Sequence, residues 1–132
     1  MGIYQDYFSA TLEGTKIYGA KTVVFMQVGS FFEIYGIVSE NGELQGSCIS
    51  DICNLCELNM SEKKDTYNGK KIMMAGFRDY SLTKYNDKVV EYGYTIPVYK
   101  QIPDGKTFKR ILSETYSAGT RFSDSEIITN NT

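Results

Sequence analysis

The chain has 132 residues, 42% hydrophobic and 14% aromatic, which is enough apolar material for one packed core of ordinary single-domain size. A net charge of -2 and a pI near 5.2 exclude the strongly basic footprint of a self-sufficient nucleic-acid binder, so any such role must rest on local patches or on help from elsewhere. Histidine is absent, which removes Ser-His and Cys-His nucleophilic pairs and the commonest general base at neutral pH.

No stretch approaches the roughly 18 consecutive apolar residues of a membrane span, and the start "MGIYQDYFSATLEG" lacks the basic-then-apolar layout of a signal peptide. Cys48, Cys53 and Cys56 are an odd number in one short segment, which suits a reducing compartment better than a secreted disulfide framework. The expectation is an intracellular protein with no membrane association.

Tyr4, Tyr7, Phe8 and Leu12 recur at helical spacing, predicting an amphipathic helix from about Tyr4 to Tyr18, loosened by Gly14 and capped by Gly19. "KTVVFMQV", from Lys21 to Val28, reads as a central strand covered on both faces. Ser30 and Glu33 have capping-box spacing, so a short helix is predicted from Ser30 towards Val38, followed by a turn at Asn41-Gly42. Ile49, Ile52, Cys53 and Cys56 share one helical face, after which "ELNMSEKK" and "KKIMMAG" read as two strands of a hairpin around Asn68-Gly69.

Leu82, Tyr85, Val89 and Tyr92 define a further helix, with Ser81 as N-cap and Gly93 just past its end. "YTIPVYKQI" and "TFKRILSETY" pair around the turn Pro103-Asp104-Gly105, with Pro97 placing the first strand near an edge or a bulge. After Gly119-Thr120 the tail is polar and aperiodic. The domain is therefore expected over residues 1–121, with 122–132 as a polar tail or the start of an interdomain linker. The fold class is mixed α/β, with a central mixed β-sheet and flanking helices.

Three motifs resemble chemistry without supporting it. "DGKT" at Asp104 to Thr107 has the Gly-Lys-Thr of a phosphate loop, but Lys100 stands where that loop needs its first glycine, so a turn is expected. The three cysteines lack a fourth ligand for a closed zinc site, and read as small apolar helix residues. Asp51 followed by Glu62-Lys63-Lys64 has a faint likeness to nucleases in which carboxylates hold a metal and a lysine steadies the phosphate, though a solvated face is the plainer reading.

The ordered segments "YFSATLEG", "VVFMQVGSFFEIYG", "ELNMSEKK", "IMMAGFRDYS", "KVVEYGYTIPVYKQI" and "RILSETYSAGT" resemble the N-terminal mismatch-recognition domain, domain I, of the MutS family of DNA mismatch repair proteins. "GSFFEIYG" is similar to the family's Gly-Asp-Phe-x-Glu-Leu corner, with Ser30 in place of the aspartate and Phe32 in the middle position. "NGELQGSC" looks like an insertion, and "FRDYS" differs from the usual Val-Pro-Tyr-His-Ser, both marks of a divergent branch.

The resemblance implies that Phe31 enters the minor groove and stacks on a mispaired base while Glu33 hydrogen-bonds that base. A carboxylate among phosphates is repelled unless it accepts a base donor or carries a proton. The partner implied is double-stranded DNA with mismatches or small loops. The full-length protein is then expected to carry further MutS domains, to dimerise and to be an ATPase using ATP and Mg, with no catalytic residue, cofactor or metal in this domain.

From the residues alone other readings stay open: Phe31 as a core side chain, Glu33 as the partner of Ser30 in a capping box, and Lys63, Lys64, Lys70 and Lys71 as solvated hairpin lysines rather than DNA-backbone contacts. Two other functions remain as alternatives: a protein-interaction scaffold that reads no base, and a metal-dependent nuclease using Asp51 and Glu62.

Overall fold

A computed structural model describes residues 2–117. The expected domain end near 121 and the polar tail 122–132 lie outside the described residues. The elements in chain order are α1 (Ile3–Tyr18), β1 (Phe25–Val28), β2 (Phe31–Val38), β3 (Leu44–Gln45), α2 (Ile49–Cys56), β4 (Ser61–Tyr67), β5 (Lys70–Arg78), a 3-10 turn (Asp79–Ser81), α3 (Leu82–Glu91), β6 (Ile96–Asp104) and β7 (Thr107–Tyr116). The mixed α/β expectation holds. One sheet has the order β4-β5-β2-β1-β6-β7, with the short β3 added to β2, and β1 with β6 is its parallel pair among antiparallel ones.

β1 lies at the centre and begins at Phe25 rather than at Lys21; Val23 and Val24 just before it, like Phe25 and Met26 within it, are buried whichever way they point, as expected of a segment covered on both sides. Helix α1 covers one face. Its Tyr4 and Tyr7 meet the Tyr35 ring edge-on at 5.1 and 5.2 Å, and the Tyr7 hydroxyl donates to the Val24 carbonyl at 2.9 Å. On the other face α2 sets Ile49 against Gly36, and α3 stacks Tyr85 on Phe77 at 4.4 Å. The cysteines of α2, Cys53 and Cys56, are buried in that layer.

Two predicted helix faces shift. The buried positions of α1 are Tyr7, Ala10, Thr11 and Gly14, while Leu12 is exposed. The reason is close approach, since a Cβ on Gly14 would come within 3.1 Å of Thr22 and 3.5 Å of Pro97. In α3, Val89 is buried but Tyr92 lies outside, and Ser81 ends the 3-10 turn without a capping hydrogen bond.

The largest correction falls on the predicted helix from Ser30 to Val38, which is strand β2. Val28 pairs with Phe31, so Gly29-Ser30 is a two-residue hairpin turn with Gly29 at φ 61, the position where such a turn needs glycine. A capping box between Ser30 and Glu33 therefore does not form. Aromatic and β-branched side chains filling a half-buried pleated surface outweigh one matching polar pair at helical spacing.

The other hairpins lie close to expectation. Asn68-Gly69 turns with both residues at positive φ, 53 and 78. The last turn is Gly105-Lys106, one step beyond the predicted centre, because Asp104 still pairs with Thr107. Strand β4 begins at Ser61 rather than Glu57, since Glu57 ends α2 in the left-handed conformation at φ 58. Pro97 sits beside a bulge where the β6–β7 register shifts after Val98, and the edge strand is β7, not β6.

Candidate functional site

Strand alternation divides "FFEIYGIV" between two faces. Phe32, Ile34 and Gly36 point to the α2–α3 side and are buried. Phe31, Glu33 and Tyr35 point to the α1 side, and cover fades along that row. Tyr35, packed against Tyr4 and Tyr7, is 2% exposed, Glu33 is half-buried, and Phe31 at the turn is 38% exposed. Burying a phenylalanine contributes about 1.5–3 kcal/mol, and the register gives that gain to Phe32 and withholds much of it from Phe31.

Several bonds fix the corner. The Gly29 amide donates to Gln101 Oε1 at 3.2 Å, and Gln101 Nε2 donates back to the Gly29 carbonyl at 3.5 Å. The Asp79 amide donates to the Ser30 carbonyl at 2.8 Å, tying the turn to the end of β5. The Gln101 amide in turn donates to Gln27 Oε1 at 3.0 Å, and Arg110 Nε donates to the Gln27 carbonyl at 2.7 Å. With both polar groups of Gly29 satisfied by one side chain, Phe31 is presented from a rigid hairpin end.

Glu33 accepts a hydrogen bond from the Tyr35 hydroxyl, two residues along on the same face. Burial, and then the Glu33 carboxylate, push the Tyr35 phenol well above its ordinary range, so it stays a donor. The space beside Glu33 exists because Gly76 stands opposite: a Cβ there would reach the Phe32 carbonyl at 2.8 Å and Glu33 Cγ at 3.2 Å. Arg78 is the cross-strand partner of Phe31, and its guanidinium lies over the ring at 5.0 Å.

The structure brings Phe31 and Glu33 together and separates them from the lysines. Lys70 and Lys71 flank the β4–β5 turn beside the Val38 end of β2, six or more residue steps from Phe31, roughly 20 Å at 3.3 Å per step. Lys71 pairs with Glu62 at 3.8 Å, while Lys63 and Lys64 lie on the outermost strand, β4. Asp51 and Glu62 are not brought together. Asp51 lies in the first turn of α2 and borders Lys21 and Tyr94, whereas Glu62 lies on β4 and pairs with Lys71.

Reasoning from the sequence missed Tyr35 and Arg78. The first was concealed by the predicted helix, because only a two-residue period puts Tyr35 on the face of Glu33. The second depends on pairing between strands distant in sequence.

The site is thus an exposed aromatic and a carboxylate on one face of a clamped hairpin end in a mixed α/β domain. The model of MutS domain I matches residues 13–125, and the chain belongs to that family. A DNA mismatch repair protein mutS homolog of Acanthamoeba polyphaga mimivirus is 32% identical over 124 residues, covering 92% of this chain. The chain spans 11% of the length of that relative.

Proposed function

We propose that this domain recognises mispaired or otherwise distorted duplex DNA, with Phe31 stacking on the displaced base from the minor groove and Glu33 accepting a hydrogen bond from it. The observation that carries this reading is the half-open Phe31 ring at the tip of the β1–β2 hairpin, on the same face as Glu33. A rigid aromatic can replace the stacking partner of a displaced base for about 1–3 kcal/mol, and wedge insertion costs a few kcal/mol of unstacking. A mismatched step is already weakened, so the net balance favours it over a paired step.

With a net charge of -2, the domain requires phosphate neutralisation from elsewhere. The proposed setting is a larger intracellular protein whose other domains and second subunit supply it. In this reading nucleotide chemistry with ATP and Mg is assigned to those other parts; Gly105-Lys106 here joins two strands, with Thr107 Oγ1 donating to the Asp104 carbonyl at 3.2 Å, a hairpin turn rather than the strand-to-helix setting of a phosphate loop. Among the described residues no helix is long and apolar enough to cross a membrane.

The test compares the complete protein on mismatched and fully paired duplexes before and after Phe31→Ala. Mismatch preference should fall by roughly 5- to 150-fold, the equivalent of the stacking energy. An unchanged preference would show that the ring does not read the lesion, leaving the scaffold alternative.

A further inference from the structure

We propose that Arg78 is a second DNA-contacting residue: its guanidinium covers Phe31 in the free protein and moves to a backbone phosphate beside the distorted step when the ring inserts. The inference rests on the wedge reading of Phe31. Four observations carry it.

The pairing of β2 with β5 is continuous from Phe31↔Arg78 to Ile37↔Ile72, so the two side chains are held as direct cross-strand neighbours. The guanidinium stands 5.0 Å from the ring centroid and so occupies one of the two ring faces open to a stacking base. Among the described residues its charge has no ion-pair partner. The ion pairs among the described residues join Lys71 to Glu62 and Lys100 to Glu114, and neither involves Arg78, which is exposed. Finally, the Asp79 amide bonded to the Ser30 carbonyl fastens the backbone next to Arg78 to the wedge turn, so both would approach DNA as one unit.

The chemistry follows from these positions. A base taking the ring face displaces the guanidinium, and phosphate oxygens at the groove edge offer that planar donor a bidentate partner of opposite charge. A cation at this position also offsets the repulsion between the nearby Glu33 carboxylate and the same phosphates. A phosphate contact carries no sequence information, so Arg78 would strengthen binding to matched and mismatched duplexes alike, leaving discrimination to Phe31.

The test measures affinity against salt for Arg78→Met, Arg78→Lys and Phe31→Ala in the complete protein, on one mismatched and one paired duplex, with thermal unfolding as a check that each variant folds. Loss of one phosphate contact should reduce the magnitude of the slope of log K against log salt by about 0.9, so the Arg78→Met defect should be about 3-fold larger at 50 mM than at 200 mM salt. Arg78→Lys should restore the slope.

An unchanged slope in a folded Arg78→Met protein, or tighter mismatch binding by it, would mean that Arg78 only shields the ring, and would overturn the proposal. A reduced slope accompanied by full mismatch preference in Phe31→Ala would instead leave the phosphate contact standing and remove the wedge reading on which its coupling to insertion depends.

Discussion

Phe31 and Phe32 are adjacent residues of one type, yet the pleat sends them to opposite sides of the sheet, and their truncations should separate stability from function. Phe32 lies 6.1 Å from the Phe77 ring in the α2–α3 layer, so Phe32→Ala should cost about 3–5 kcal/mol in denaturant unfolding, the usual range for a buried aromatic. Phe31→Ala removes a 38% exposed ring that lies under the Arg78 guanidinium, and should shift the unfolding midpoint far less. Equal losses of stability in the two variants would make Phe31 a packing residue. Glu33 allows a similar separation. Tyr35→Phe keeps the ring contacts with Tyr4 and Tyr7 but removes the donor to Glu33, so a double-mutant cycle with Glu33→Ala, which removes the acceptor, should return a coupling of about 1 kcal/mol or more. A coupling near zero would mean that the carboxylate is not held by Tyr35 in solution.

At the scale of elements, the corner depends on two strands approaching where a side chain has been left out. Gly76→Ala would drive a Cβ to 2.8 Å from the Phe32 backbone carbonyl, and backbone cannot rotate aside, so β2 and β5 must separate locally. The expected cost is about 1–3 kcal/mol, accompanied by loss of mismatch preference because Phe31 and Glu33 both ride on β2. A Gly76→Ala protein of unchanged stability would show that the pairing tolerates this spacing. Much of this architecture was legible in the sequence. The helical periods behind α1, α2 and α3, the Asn68-Gly69 turn and the apolar run leading into β1 are local signals. The strand at "FFEIYGIV" was not, because the Ser30 and Glu33 spacing fits a helix start while Gly29-Ser30 equally fits a two-residue hairpin turn, and only the pairing of Val28 with Phe31 decides between them. The site was half legible for the same reason. Phe31 and Glu33 stand out as a pair in the sequence, whereas Tyr35 and Arg78 acquire their roles only through strand alternation and the β2–β5 register.

For the molecule as a whole, the buried titratable groups set how the fold should respond to alkali. Burial, with the neighbouring Cys56 adding to it, raises the Cys53 thiol from 9.0 to about 11, and burial is likewise the leading cause that raises Cys48, Cys56, Tyr7 and Tyr35. Each is neutral when protonated, so the fold holds these protons more tightly than the unfolded chain does. A raised value contributes stability that is fully present below the unfolded pKa and is lost as pH rises through the folded one. Stability should therefore be level from neutral pH to about pH 8, decline from near 9 as unfolded thiols ionise, and decline further once unfolded tyrosines follow. Urea midpoints recorded under reducing conditions at half-unit steps from pH 7 to 11 would show this, and Cys53→Ala should make the decline between pH 9 and about 11 shallower. The same burial should make native Cys53 react with iodoacetamide at pH 8 far more slowly than an unfolded thiol, because both access and thiolate are withheld. A midpoint independent of pH up to 11, or alkylation of Cys53 at the unfolded rate, would mean that α2 does not stay packed against the sheet, and with it would go the layer that keeps Phe32 and Ile34 inside and leaves Phe31 at the surface.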